Sequence, residues 1–279
     1  MLKRIITSIV AVCVLVPVLF LSGTAVLPAA VAVVTVIAVF EMLKCMGVHK
    51  RYSVCVPLYA VSATVPFLLR YVENRVTVAS VCFVAAVLYL IVMFVSIVWS
   101  HGRLPFADGM SMYILGIYII AAMNSIIYVR DFGEGGKFIY LLIFMGAWIT
   151  DIFAYFTGVF FGKHKLIEDV SPKKTIEGSI GGIIFCTLSF VIFGLIVDGA
   201  FGRDANIAFL AVSGVIVSVV SQVGDLIMSV IKRHYGIKDY GKIFPGHGGV
   251  LDRFDSVLAV ALGMCAICMF AGMMGINLL

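Results

Sequence analysis

Apolar side chains run through this chain in nine long blocks, at about 5–22, 24–43, 52–70, 76–99, 110–129, 138–162, 178–197, 205–232 and 254–277. Each block is close to the roughly 20 residues that an α-helix needs to cross the hydrocarbon core of a bilayer. The blocks are too long and too uniformly apolar for barrel strands, which alternate between lipid and lumen. In lipid, only helices and closed barrels satisfy the backbone. The pattern therefore predicts an all-α, polytopic integral membrane protein of about nine transmembrane helices, and strands are not expected. The blocks use most of the 279 residues. One membrane domain, 1–279, is the expectation, with 1–137 as scaffold or lipid-facing surface and 138–279 as the chemically active half. No low-complexity tract or internal repeat interrupts it.

Composition agrees with the pattern. The chain is 62% hydrophobic and only 13% charged, with a mean hydropathy of +1.14; an ordinary soluble domain carries about 25% charged residues. With nine spans, one set of loops holds Arg70, Arg75, Arg130, Lys137 and Arg203, and the other set holds the remaining 15 of the 20 basic residues. The excess of Lys and Arg places the N-terminus and the loop near 240 in the cytoplasm and the C-terminus outside. The net charge of +5 is then mostly topology and calls for no nucleic-acid partner. Lys3 and Arg4 before an apolar run resemble a signal peptide, but an uncleaved helix preserves the loop alternation. Cys265 and Cys268 have redox or metal spacing; mid-span, with no His or acid nearby, they read as small apolar filler.

Polar chemistry gathers in the second half. Asp151 and Asp225 each sit inside an apolar block, where an acid normally faces a cavity, a partner or an ion. Trp148, Asp151, Tyr155, Gly158 and Gly162 share one helical stripe, and Ser221, Asp225, Ser229 and Lys232 share another. Asp225 lies two turns, about 10 Å, from Lys232. A structural role remains open for Asp151, through a neighbouring helix or through Lys163 or Lys165. Gly158/Gly162 and Gly178/Gly182 have helix-packing spacing. In SPKKTIEGS, 171–179, the pair Lys173 and Lys174 with the hydroxyls Ser171 and Thr175 suits phosphate or an anionic membrane surface.

The most polar stretch is KDYGKIFPGHGGVLDRFDS, 238–256. Gly246, Gly248 and Gly249 permit positive φ and close backbone approach, and their amides precede the next helix, a setting that suits phosphate. Lys232, Arg233, Lys238, Lys242 and Arg253 add positive charge. Asp252, Asp255 and Ser256 fall on one helical face, and with Asp225 they are expected to build an oxygen site for Mg²⁺, which takes one or two carboxylates plus substrate phosphates. His247 has no second His or Cys at zinc spacing, so it is assigned to phosphate or to bracing the loop. GVFFGKH, 158–164, falls short of a Walker A loop. The segment reads as a site for a metal-bound polyphosphate at the membrane surface.

Ser229, Lys232, Arg233, Lys238, Asp239, Gly241, Pro245, His247, Gly248, Gly249, Asp252, Arg253 and Asp255 together resemble the signature of the phosphatidate cytidylyltransferases, or CDP-diacylglycerol synthases. Asp151-x-x-Ala-Tyr-x-x-Gly158, Phe161-Gly162-Lys163 and Ser171-Pro-Lys-Lys-Thr-x-Glu-Gly178 are similar to a second block of that family. The specific motifs cover about 148–256, and the first five spans match only in being apolar.

The resemblance implies that phosphatidic acid and CTP give CDP-diacylglycerol and pyrophosphate at the cytoplasmic face, with Mg²⁺. It places the metal ligands on Asp225 and Asp252, with a second cation, K⁺ or Mg²⁺, beside the first. Catalytic roles then fall to Asp225, Asp252, Lys232, Arg233, Arg253 and Asp255. Substrate contacts fall to Ser171, Lys173, Lys174, Thr175, Ser229, Lys238, His247, Gly248, Gly249 and Asp151. A homodimer and a bacterial inner-membrane location are further expectations. The alternative from another class is a cation-coupled transporter using the buried acids, which would not need the glycine- and lysine-rich loop. The Asp-Gly-x-x-Ala-Arg pattern of phosphotransferases that consume CDP-diacylglycerol is missing, since Asp108-Gly109 is followed by Met-Ser-Met-Tyr.

Overall fold

The computed structural model describes residues 2–244, 246 and 248–279; Met1, Pro245, His247 and the side chains of residues 2–8 lie outside the described part. Among the described residues, ten helices and one hairpin follow in the order α1 (Leu2–Phe20), α2 (Val26–Cys45), α3 (Tyr52–Tyr71), α4 (Arg75–Trp99), α5 (Phe106–Arg130), α6 (Gly136–Ile139), α7 (Leu141–Phe161), β1 (Lys165–Ile167), β2 (Ser171–Thr175), α8 (Ile176–Phe201), α9 (Ile207–His234) and α10 (Leu251–Met274). Among the described residues, eight helical stretches are long and apolar enough to cross a membrane, and the apolar part Ile9–Phe20 of α1 is shorter. The expected all-α membrane architecture is what the chain adopts. The sixth apolar block differs in detail: it comprises one turn, α6, followed by α7.

The hairpin departs from the expectation that strands would not occur. β1 and β2 pair antiparallel, with Lys165 opposite Thr175 and Ile167 opposite Ser171. The prohibition on open strand edges applies within hydrocarbon, and these eight residues lie in the polar connection between α7 and α8, outside the apolar helices.

The chain forms two compact units, Met1–Ile127 with Tyr235–Arg253 and Tyr128–His234 with Phe254–Leu279. In the first, α2 packs on α3 and α3 on α4, with Val39, Met42, Leu43 and Leu58 buried between helices. α4 presents Val76, Phe83, Val98 and Trp99 outward. Its start is fixed by Asn74, whose side-chain oxygen accepts from the amides of Val76 and Thr77 at 3.0 and 3.2 Å, satisfying donors that a helix start leaves unpaired.

In the second unit, α7, α8 and α9 pack closely. Hydrophobicity does not drive helices together in lipid, so small residues that let backbones approach become decisive. A Cβ on Gly178 would fall 2.6 Å from the carbonyl of Ala154 and 3.2 Å from the Cα of Gly158. One on Gly182 would lie 3.1 Å from the carbonyl of Thr150. The packing role expected for these glycines is therefore present. Phe153 and Phe185 stack across the same crossing with ring centres 4.0 Å apart. Cys268 is fully buried in α10 and unbridged.

Gly214 and Gly199 provide a matched test of this packing. A Cβ on Gly214 of α9 would meet the Cα of Thr187 at 2.8 Å, and backbone cannot rotate away; one on Gly199 of α8 meets nothing within 4 Å. Gly214→Ala should destabilise the protein by about 1–3 kcal/mol, the usual cost of overpacking, whereas Gly199→Ala should cost nothing. Thermal unfolding of both variants in the same detergent checks this.

Candidate active site

In the second unit, carboxylates and lysines from four elements meet. Asp225 of α9 takes the Lys174 ammonium from β2 at 2.6 Å. The contact is an ion pair between half-buried side chains. Two turns along α9, Lys232 lies 3.9 Å from Asp255 of α10. The Ser256 hydroxyl donates to Asp151 of α7 at 3.0 Å, so Asp151 is bonded to a neighbouring helix. Asp225 and Asp151 both lie close enough for their charge to act on Asp255. Three carboxylates, Asp151, Asp225 and Asp255, thus gather with two lysines, Lys174 and Lys232.

The cluster also has a hydroxyl to spare. Ser221, one turn before Asp225 on the same face of α9, is fully buried, and its Oγ has no hydrogen-bond partner among the described residues. Carboxylate and hydroxyl oxygens are the donors that hard cations such as Mg²⁺ prefer, so the residues present fit that ion. Among the described residues no three His, Cys, Asp or Glu side chains form a ready metal-ligand set. Mg²⁺ does not require one when substrate phosphates complete its shell.

The hairpin sorts the expected phosphate-binding residues by strand alternation, which sends neighbouring side chains to opposite faces. Lys174 turns inward to Asp225, whereas Lys173 is exposed. Thr175 is occupied in holding the fold: its Oγ1 accepts the Gly178 amide at 3.1 Å and caps α8. The same hydroxyl sits 2.8 Å from where a Cβ on Gly158 would be. Glu177 ties the connection between α7 and β1 to α8 by accepting the amides of Lys163 and His164, and it pairs with the His164 ring at 2.6 Å.

In the first unit, the loop before α10 is organised by two carboxylates. Asp252 is buried, and its Oδ2 accepts the amides of Tyr240 at 2.8 Å and Gly249 at 2.9 Å. Glu41 of α2, 2% exposed, accepts the amides of Val250 at 3.1 Å and Leu251 at 2.9 Å. Phe244 donates to the carbonyl of Gly248 at 2.9 Å. Gly248 has φ +85, and a Cβ there would lie 2.7 Å from Asp252 Oδ2, so both conformation and space require glycine. In this structure the Gly249 amide donates to Asp252, and the next two amides donate to Glu41. Hydrogen bonds to charged groups contribute about 1.5–3 kcal/mol each.

The remaining expected residues divide by burial. Ser229 is half-buried on the Asp225 stripe, while Arg233, Lys238 and Arg253 are exposed. His247 lies outside the described residues. Glu41 is absent from the expected set. The available signal in the sequence is an acid at the edge of an apolar block, three residues before Lys44.

The sequence model of the cytidylyltransferase family matches residues 2–271. A phosphatidate cytidylyltransferase of Staphylococcus haemolyticus is 34% identical over 261 residues, covering 92% of this chain and 95% of that protein. Its counterparts in Staphylococcus epidermidis and Staphylococcus aureus are 33% and 36% identical over 257 and 258 residues, with the same coverage. The likeness extends through the N-terminal helices, well beyond the motif-bearing stretch 148–256.

Thr175 should reveal itself as a structural residue. Thr175→Val keeps the shape but removes the cap and should cost about 1 kcal/mol. Thr175→Ser should retain most of that stability, as read by thermal unfolding.

Proposed function

The chain belongs to the cytidylyltransferase family, and from that premise we propose that it transfers the CMP group of CTP to phosphatidic acid, giving CDP-diacylglycerol and pyrophosphate. The observation that carries this reading is the acid–lysine cluster of Asp225, Asp255, Lys174 and Lys232, in a chain similar almost end to end to phosphatidate cytidylyltransferases. The family match leaves the cation-coupled transporter without a supporting observation.

In the proposed reaction, a phosphate oxygen of phosphatidic acid attacks the α-phosphorus of CTP. The new P–O bond forms as the bond to the β-phosphate oxygen breaks, and pyrophosphate leaves in line. The attacking oxygen is already ionised near neutral pH, so no general base is needed. Such transfer depends mainly on positioning and charge neutralisation. When bound, Mg²⁺ neutralises triphosphate charge and supplies Lewis acidity at the reacting phosphate. Asp225 and Asp252 are the residues proposed to hold it, with a second cation, K⁺ or Mg²⁺, nearby. Lys174 and Lys232, each poised against one carboxylate, turn toward the phosphate oxygens. Lysine suits this exchange because its charge is a compact point on a flexible stem. Arg233 and Arg253 add positive charge for the leaving pyrophosphate or the lipid phosphate. Asp255 steadies Lys232. Asp151, Ser171, Lys173, Thr175, Ser229, Lys238, His247, Gly248 and Gly249 remain proposed substrate contacts.

The excess of Lys and Arg in one set of loops supports a cytoplasmic active site, a cytoplasmic N-terminus and an external C-terminus. Bacterial relatives support a bacterial inner membrane. A homodimer is part of the same proposal.

Purified protein in detergent, given phosphatidic acid, CTP and Mg²⁺, should form CDP-diacylglycerol detectable by mass spectrometry. Asp225→Asn and Asp252→Asn should reduce turnover to background while the protein stays monodisperse. Parental activity in both would remove the metal assignment. Lys174→Met should cost roughly 10²-fold in kcat, the scale for losing one preorganised electrostatic contact. Lys173→Met should cost less, because its side chain lies on the other face of the strand.

A further inference from the structure

Glu41 is a buried acid in a helix whose buried neighbours Val39, Met42 and Leu43 are apolar. A helix start can be capped locally by Ser, Thr, Asp or Asn at the residue before it, but α10 has Val250 there. The amides of Val250 and of Leu251, the first residue of α10, reach instead to α2, more than 200 residues earlier in the chain. The two oxygens of Glu41 are divided between them, Oε1 to Val250 and Oε2 to Leu251. The loop is shaped around this carboxylate. A Cβ on Gly241 would fall 2.0 Å from Oε1, and one on Gly249 would fall 2.3 Å from it. A side chain at either glycine would press on the Glu41 carboxylate. The next residue after the clamped pair is Asp252, which closes the same loop through the amides of Tyr240 and Gly249.

We propose that Glu41 is a positioning residue of the transferase: by fixing the first peptide of α10 and the turn before it, it holds the Asp252 carboxylate in one orientation. The proposal rests on the reading of Asp252 given above and adds to it a residue from the N-terminal helices. Glu41 touches neither substrate nor cation; it acts through the backbone that carries Asp252. A carboxylate is suited to the task because it accepts two hydrogen bonds and opposes the positive end of the helix.

The test uses the full chain in detergent, with Glu41→Gln and Glu41→Asp. Glu41→Gln keeps the size but replaces one acceptor with a donor facing an amide. Its kcat should fall roughly 10–100-fold, the usual scale for residues that orient metal ligands. Its Mg²⁺ activation midpoint should rise, and KM for phosphatidic acid should stay within about 3-fold of the parent. Glu41→Asp should recover part of the kcat. Hydrogen–deuterium exchange over 238–252 should quicken in Glu41→Gln, with α7 and α8 unchanged. Parental kcat and Mg²⁺ midpoint in Glu41→Gln would overturn the proposal, as would equal losses in both variants with unchanged exchange. If the Glu41 variants fail to fold, Gly241→Ala and Gly249→Ala press on the same carboxylate from the loop side. They should reproduce the kcat loss and the Mg²⁺ shift, and parental values would again overturn the proposal. If the parent chain itself makes no CDP-diacylglycerol, the transferase reading fails, and the exchange measurement alone decides whether Glu41 holds the loop.

Discussion

A carboxylate among apolar helices needs an opposite charge or a set of hydrogen-bond donors beside it, because an uncompensated buried charge costs several kcal/mol. Each acid singled out in this protein meets that demand in a particular way. Asp225 has Lys174, Asp255 has Lys232, Asp151 has the Ser256 hydroxyl, and Asp252 and Glu41 have backbone amides. The surrounding elements are arranged to deliver these partners. The hairpin brings Lys174, the length of α9 spaces Asp225 from Lys232, and the loop before α10 folds its amides inward.

The two kinds of partner behave differently. A lysine can leave a carboxylate for a phosphate oxygen by rotating its side chain. A backbone amide at a helix start can leave only if the loop unwinds. The acids paired to lysine therefore belong to an adjustable set of charges, suited to a substrate that arrives with several negative charges and departs as pyrophosphate. The acids paired to amides belong to a fixed frame. A transferase that works by positioning and neutralising charge needs both.

Close backbone approach supports this arrangement. Thr175 shows the link: its hydroxyl caps α8 and fills the space left by Gly158, so the hairpin carrying Lys174 is seated by the same contact that joins α7 to α8. Larger residues at Gly158 or Gly178 would displace that seat together with the helix crossing.

Much of this was open to a reader of the sequence. Block 76–99 corresponds to Arg75–Trp99, and block 178–197 lies within Ile176–Phe201, because the length and apolarity of a membrane helix are local properties. The polarity of Asp225 and of the stretch 238–256 was equally visible, since charge in such a chain stands out against its surroundings. The division of labour within the polar segments was not. Lys173 and Lys174 are adjacent in sequence, and only the hairpin sends one to Asp225 and the other outward. That the amides of Gly249, Val250 and Leu251 donate to Asp252 and Glu41 is visible only in the structure. Glu41 itself lies 209 residues from the first amide that donates to it, a distance no periodicity spans. Sequence alone determined which segments are helical, which are polar and what family they belong to, because those depend on local side-chain chemistry and spacing. Tertiary structure alone decided which donor satisfies which carboxylate, because that depends on chain segments meeting in space.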